Sequence, residues 1–216
     1  HLLKAVATGS LSAEDAANKI QFAPLEGVGF DVVGDFAKVD RQRRMRNGIP
    51  EAVWGPGKTP EQISRILQNL HDNGGVAMAT RITPEVYEQL QQTLPQLNYS
   101  EMARIAFLEQ QRPPSDESQQ DTSSTPITET SSLPGTIGVI TAGTSDLAVA
   151  EEAALTAELC GATVQRLSDV GVAGIHRLLY NREIFTSADV LIVVAGMEGA
   201  LASVVAGLAD RPIIAV

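Results

Sequence analysis

The sequence predicts an α/β protein with a small N-terminal α+β domain and a C-terminal domain built on a doubly wound parallel sheet. From residue 136 onward, four apolar, strand-like runs alternate with segments of helical periodicity, which is typical of a parallel sheet covered by helices. Between residues 110 and 135 the chain is rich in Ser, Thr, Pro and Gln, which predicts a flexible linker, with a long ordered loop as the alternative. We therefore expect domains at 1–109 and 136–216.

Composition and charge narrow the class of protein. The net charge of −10 argues against nucleic acid or an anionic membrane as a main partner. Residues 1–111 are nearly neutral, with 11 basic and 13 acidic side chains, and contain the one basic cluster. A single cysteine fits a reducing compartment, and no apolar run reaches the ~18–20 residues that span a bilayer. These features, with no signal-peptide pattern, predict a cytoplasmic protein.

In the N-terminal part, three capping signals predict helices. Ser12 precedes the first helix, Thr59 opens a capping box followed by proline, and Thr83 repeats that start. The predicted helices span 13–21, 60 to Gly74, and 84–94, and the predicted strands span 27–33, 36–40, 76–80 and 102–108.

In the C-terminal part, strands and helices alternate strictly. The predicted strands span 136–142, 162–167, 189–195 and 212–216, and the predicted helices span 147–160, 175–181 and 200–208. Such a sheet binds ligands at the carboxyl ends of its strands. The sequence begins without Met and ends on a strand-like run, so we expect a fragment whose closing elements lie beyond it.

The first strand leads into a loop with Gly143, Thr144, Ser145 and Asp146. Glycine allows close approach of a ligand, and hydroxyl and carboxylate groups lie at a helix N-terminus, where N–H groups attract phosphate. Asp146 also suits a ribose hydroxyl. A helix N-cap without a ligand is the alternative.

The second and third strands also end in candidate loops. The second leads to His176 and Arg177, an acid/base and an anion clamp or, alternatively, ordinary surface or core residues. The third leads to Gly196, Met197 and Glu198, where the carboxylate is either a helix N-terminal charge or a functional group facing the crevice. All three loops fall at the same edge of the predicted sheet.

These segments also carry a family resemblance. TAGTSDLAVAEEA, DVGVAGIHRLL and VVAGMEGALASVVAGL resemble signature segments of LarB, a carboxylase of nickel-pincer nucleotide synthesis, and more distantly those of the purine-pathway carboxylase-mutase PurE. The N-terminal stretch DRQRRMRNGIPEAVWGPGKTPEQ, residues 40–62, resembles LarB and has no counterpart in PurE. The resemblance covers nearly the whole chain outside the linker, and it implies a PurE-like C-terminal domain.

The resemblance implies a specific reaction. LarB proteins carboxylate the pyridinium ring of nicotinic acid adenine dinucleotide with CO₂ and cleave its phosphoanhydride, which gives a pyridinium biscarboxylate mononucleotide and AMP. A cysteine thiolate adds to the ring and makes it nucleophilic toward CO₂ before it leaves. Magnesium is expected to assist the phosphate cleavage.

By this resemblance, Glu198 and His176 are the catalytic candidates, with Glu198 orienting or deprotonating the ring. The candidates for nucleotide binding are Gly143, Thr144, Ser145, Asp146, Arg177, Gly196 and Met197. In the N-terminal motif, Arg41, Arg44 and Lys58 are expected to hold the phosphates or carboxylate of the substrate, with a solvated basic loop as the alternative.

The family's reactive cysteine follows the fourth strand, so we expect it to lie beyond Val216 and this chain to lack a complete active site. Cys160 is not expected to replace it, because it ends a helix at the opposite edge of the sheet and should pack as a small apolar residue.

Two other functions are weighed against this one. A non-catalytic, adenine-nucleotide-binding regulator is the main alternative, because the circadian phase modifier of cyanobacteria is a relative of the same family. Aminoimidazole ribonucleotide carboxylation is disfavoured, because the S-A-H-R-T-P loop of PurE is replaced by G-I-H-R-L-L. The resemblance also implies a homo-oligomer of PurE type, an octamer.

Overall fold

The computed structural model describes residues 2–22, 29–109 and 135–216. Up to residue 109 it contains five helices and six strands within these ranges. In chain order these are α1 (Leu2–Ala7), α2 (Ala13–Phe22), β1 (Phe30–Val33), β2 (Ala37–Asp40), α3 (Arg43–Asn47), β3 (Ala52–Trp54), α4 (Pro60–Asp72), β4 (Ala77–Thr80), α5 (Pro84–Thr93), β5 (Asn98–Ser100) and β6 (Ile105–Leu108).

The predicted helix starts are confirmed. The Thr59 hydroxyl accepts the N–H of Gln62, and the Gln62 side chain accepts the N–H of Thr59, which completes the capping box of α4. Thr83 caps α5 by accepting the N–H of Val86, and Ser12 caps α2 by accepting the N–H of Asp15. Each cap satisfies an N–H that has no partner inside its helix, which is why these positions could be predicted from sequence.

The N-terminal strands form two sheets. β1 and β2 are an antiparallel pair, and a four-stranded sheet has the order β3-β4-β6-β5, in which only β3 and β4 run parallel. α4 packs on this sheet through a buried core that includes Ile63, Leu67 and Leu70. The predicted strands at 27–33, 36–40, 76–80 and 102–108 correspond to β1, β2, β4 and β6. The sequence analysis missed α3, β3 and β5.

The remaining elements alternate as predicted. They are β7 (Thr136–Thr141), α6 (Leu147–Leu159), β8 (Thr163–Leu167), α7 (Ile175–Tyr180), α8 (Ile184–Ser187), β9 (Val190–Val194), α9 (Ala200–Leu208) and β10 (Ile213–Ala215). The four strands are all parallel, in the order β10-β9-β7-β8. The α/β fold class is confirmed. Only the short helix α8 was not predicted.

Helices cover both faces of the parallel sheet. Val139 on one face of β7 packs with Ala150 and Ala154 of α6. Ile140, on the opposite face, belongs to a core that contains residues of α7, α8 and α9, among them Leu178. This arrangement is the one expected for right-handed crossovers, because the chain moves from β7 to β8 in one direction and returns past β7 to β9 in the other.

α6 lies between the two four-stranded sheets. One of its sides packs Ala150 and Ala154 against β7 and β9, and the other packs Leu155 and Leu159 against Met78 of β4. A helix with a sheet on each side needs apolar residues all around its axis. The composition of α6, LAVAEEAALTAEL, meets that requirement.

The predicted linker, 110–135, lies outside the described residues except for Gly135, so the linker and the domain boundaries stay predictions. Among the described residues, none of the helices is both long and apolar enough to cross a bilayer.

We predict that Ile105→Ala lowers the free energy of unfolding by about 2–5 kcal/mol, since Ile105 is fully buried on the side of β6 that packs toward α6. Ile49→Ala is the matched control. Because Ile49 is 48% exposed, its substitution should lower the free energy of unfolding by less than about 0.5 kcal/mol. Urea denaturation measures both. Equal losses for the two variants would contradict the packing of the sheet against α6.

Candidate functional site

The candidate site lies where β7 and β9, the two central strands, end side by side. The chain leaves β7 toward β8 on one side and leaves β9 toward β10 on the other. Connections that depart in opposite directions open a crevice at the carboxyl ends of the strands, the usual ligand position in such sheets. The loops at residues 142–146 and 195–199 border this crevice.

Asp146 joins these two loops. Its side chain is buried, one carboxylate oxygen accepts the N–H of Gly143 at 2.8 Å, and the other accepts the N–H of Gly196 at 3.1 Å. A carboxylate that accepts two backbone N–H groups forms charge-assisted bonds, which are stronger than bonds between neutral groups. The structure therefore places Asp146 as a brace across the crevice. Its contact with a ribose stays a prediction.

Thr144 and Ser145 form the exposed rim of the first loop. They lie in a single 3-10 turn that continues directly into α6. The first N–H groups of a helix have no acceptor within it, and they carry the positive end of the helix dipole. The N–H groups of Asp146 and Leu147 are already bonded, to Gly143 O and Thr144 O, so the rim offers an anion the N–H groups and hydroxyls of Thr144 and Ser145.

The second loop is attached to the first through Thr141. This side chain is buried, and its hydroxyl accepts the N–H of Asp169 at 3.1 Å. Gly171 donates its N–H to Ala142 O at 2.8 Å, and a Cβ on Gly171 would lie 2.8 Å from that same oxygen. Only glycine allows so close an approach here. All three loops are therefore connected at one edge of the sheet.

Arg177 does not present a free guanidinium. Its Nη1 atom lies 2.7 Å from a carboxylate oxygen of Asp169, a residue with the uncommon backbone angle φ of +57°. The sequence analysis did not identify this partner. The neighbouring His176 is exposed and has no hydrogen-bond partner among the described residues.

Glu198 and Met197 are exposed at the tip of the third loop, and Met197 is 95% accessible. Gly199 follows with φ of +71°, which turns the chain into α9. Glu198 has no hydrogen bond or ion pair with any described residue. It is a carboxylate that remains available at the crevice.

The basic N-terminal motif is not gathered at these loops. Arg41 forms an ion pair with Asp31 at 3.3 Å and also donates to Asn73. Arg44 is close enough to Cys160 for its charge to act on that thiol. Cys160 follows the end of α6 opposite the loops, about 20 Å away for a helix of 13 residues. The charge of Arg44 therefore acts at the end of α6 that is far from the crevice, and Arg41 is already ion-paired with Asp31. The substrate contacts of both arginines stay a prediction.

Cys160 packs as predicted. It lies in the apolar contact between α6 and the N-terminal sheet, and burial raises the pKa of its thiol despite the opposing charge of Arg44. A raised pKa reduces the fraction of thiolate, the nucleophilic form. Both its position and its ionisation argue against a catalytic role for this cysteine.

A groove of about 540 Å³ lies elsewhere, along β8 and the α7–α8 connection. The only cation among its seven lining residues is Arg166, whose guanidinium is paired with Glu151 and Glu158, at 2.9 and 2.6 Å. These bonds raise the pKa of Arg166, and they leave no free positive charge for a phosphate. We therefore assign the site to the crevice.

No metal centre is assigned. Among the residues that the structure describes, no group of three or more His, Cys, Asp or Glu side chains is placed to hold an ion.

Substitution of two glycines tests the loop geometry. We predict that Gly171→Ala lowers the free energy of unfolding, because the new Cβ would collide with Ala142 O. Gly207→Ala should instead raise it by about 0.5–1 kcal/mol, since Gly207 is in α9 with open space around it. Thermal or urea denaturation measures both. Stabilisation by both substitutions would show that the two loops do not approach so closely.

Comparison with known proteins gives two findings. The family model described as the LarB/PurE-like N-terminal domain matches residues 30–111. The uncharacterized protein MJ0165 of Methanocaldococcus jannaschii is 34% identical over 224 residues, an alignment that covers 100% of this chain and 78% of that protein. The second match extends through the parallel sheet and its three loops. The chain therefore belongs to the LarB family.

Proposed function

We propose that this chain binds nicotinic acid adenine dinucleotide in the crevice and that its protein carboxylates the pyridinium ring and releases AMP. The observation that carries the proposal is the brace formed by Asp146, which connects two loops across the crevice and leaves Thr144, Ser145 and Glu198 exposed around it. Family membership supports a role related to nucleotide biosynthesis. The specific reaction is our proposal.

Each of the exposed groups would contact a different part of the dinucleotide. The hydroxyl of Ser145 and the N–H groups of the turn that precedes α6 would donate to a phosphate, as groups at helix N-termini commonly do. Glu198 would lie against the pyridinium ring, where a carboxylate stabilises a cation and can accept a proton. His176, at the start of α7, is the second acid/base candidate. Arg177 would bind an anion only by sharing or releasing Asp169.

Magnesium belongs to the proposal only as an ion carried by the substrate. The described residues do not form a complete site for it. Mg²⁺ commonly keeps several waters and binds substrate phosphates with one or two carboxylates, so the phosphates would be its main ligands. No step of the proposed chemistry is assigned to it.

The thiol that adds to the ring is not Cys160, because that side chain packs between α6 and the N-terminal sheet. The crevice groups described above can bind a nucleotide without that thiol, which supports a second candidate function, a regulator that binds adenine nucleotides without transforming them. The two differ in product: only the enzyme makes a carboxylated pyridinium mononucleotide from the dinucleotide and CO₂, which mass spectrometry detects. For either function we propose a cytoplasmic homo-oligomer of PurE type, an octamer.

We predict that Asp146→Asn weakens binding of AMP and of the dinucleotide by about tenfold or more, because the amide would turn an N–H toward a backbone donor and loosen one loop. The matched control is Asp189→Asn. Asp189 also accepts a backbone N–H, that of Thr136 at 2.8 Å, but at the opposite edge of the same sheet. Calorimetry should show unchanged nucleotide affinity for this control. Equal nucleotide affinities of the wild type, Asp146→Asn and Asp189→Asn would contradict the assignment of the nucleotide site to the crevice.

We also predict that Glu198→Gln, made in the full-length natural protein, abolishes carboxylation and largely retains nucleotide binding. The substitution keeps the shape of the side chain but removes the charge that faces the cationic ring. Glu183→Gln, an equally exposed change in the groove beside β8, serves as the control. Undiminished formation of the carboxylated product by Glu198→Gln, measured by mass spectrometry, would rule out the proposed role.

A further inference from the structure

Trp54 is an exposed aromatic side chain to which the proposed function gives no role. It is the single tryptophan of the sequence, and it ends β3, at the edge of the N-terminal sheet, with 52% of its surface accessible. The indole N–H donates to no described residue. An exposed tryptophan next to cationic side chains is a common binding surface for flat rings.

The strand register places Trp54 on the face of the sheet that packs against α6. Trp54 pairs with Thr80, two residues beyond Met78 on the same face of β4, and Met78 contacts α6. Val53, the intervening residue of β3, points to the opposite face and is buried in the N-terminal core. The indole is therefore next to α6.

Arg81 connects this position to α6. Its guanidinium carbon lies 5.1 Å from the centroid of the Trp54 ring, and its Nε atom lies 3.3 Å from a carboxylate oxygen of Glu152. Arg81 also has a φ of +58°, which is uncommon for a residue other than glycine. With Arg81 over one face, the exposed surface of Trp54 leaves the ring available for a second flat group.

Lys58 adds a cation on the same side. Its ammonium group donates to the carbonyl oxygen of Trp54 at 2.8 Å, which leaves two further N–H donors. A ligand on Trp54 would thus meet the positive charge of Lys58, because Arg81 shares its charge with Glu152. This charge disfavours a pyridinium cation and favours a neutral ring that carries phosphate.

The distance to the crevice suits one dinucleotide. Glu152 is seven residues after Ser145, which corresponds to about 10 Å along the helix. Val149, between them on the same side of α6, is 39% exposed. Two nucleosides joined by a pyrophosphate can extend over such a distance.

We infer that Trp54, Arg81 and Lys58 form a second subsite, in which the adenine ring of the dinucleotide stacks on Trp54 while its phosphates lie at Ser145. This inference rests on the proposed function and adds a role for the N-terminal part of the chain. It also accounts for Lys58 more directly than contact with the crevice does, because Lys58 is held to the backbone of Trp54.

Tryptophan fluorescence of this 216-residue chain provides a direct test, since Trp54 is its only tryptophan. We expect AMP and nicotinic acid adenine dinucleotide to quench it, and nicotinic acid mononucleotide, which lacks adenine, to leave it nearly unchanged. Quenching by the mononucleotide and not by AMP would overturn the assignment of the adenine ring.

Calorimetry on variants completes the test. Trp54→Ala should weaken dinucleotide binding about tenfold or more, and Trp54→Phe should restore part of the loss. Arg81→Gly, which suits the positive φ, should also weaken binding without unfolding the protein. Tyr180→Ala should leave the affinity for the dinucleotide unchanged. This control removes an aromatic side chain that is 88% exposed beside the distant groove.

The outcomes separate the two proposals. If the dinucleotide binds with normal affinity to Trp54→Ala and does not quench the wild-type fluorescence, the second subsite is wrong and the crevice proposal survives. If neither AMP nor the dinucleotide binds the wild-type protein, both proposals are overturned.

Discussion

The candidate site depends on the two backbone hydrogen bonds of Asp146. This carboxylate is one of the few polar side chains among the buried residues, and both of its oxygens are used to hold loops that follow different strands. A buried charge is costly unless it is hydrogen-bonded, so the loops and the carboxylate stabilise one another. Thr141 extends the same connection to the second loop, at Asp169. The loops that bear the exposed hydroxyls and the carboxylate of Glu198 are therefore held in place relative to one another.

α6 connects these loops to the N-terminal part of the chain. The turn before it supplies the N–H groups of the crevice, its middle carries Glu152, which pairs with Arg81, and Cys160, just after its end, is partly buried against the N-terminal sheet. Because both four-stranded sheets pack on this one helix, a ligand at the start of α6 has the N-terminal sheet beside it. The N-terminal part is thereby placed to contribute to binding, although Arg41 is paired with Asp31.

Local signals could be predicted from the sequence, and long-range pairings could not. The caps of Thr59 and Thr83, the helix at 200–208 and the four apolar strands depend on neighbouring residues, and all were predicted. The strands β3 and β5 have three residues each, too few to show a periodic pattern, and they lack the strict strand–helix alternation that predicts the equally short β10. The pairing of Arg177 with Asp169 and of Arg81 with Glu152 depends on loop conformation and on how the sheets pack, which no local pattern encodes.

The most direct test of the account is hydrogen–deuterium exchange, followed by mass spectrometry, with and without AMP. The account predicts slower exchange in peptides that cover residues 142–147 and 195–200, because the nucleotide would occupy N–H groups of the first loop and restrain the loop that Asp146 attaches to it. Peptides from the groove, residues 178–187, should exchange at an unchanged rate. Protection confined to that groove, with none in the two loops, would contradict the assignment of the site.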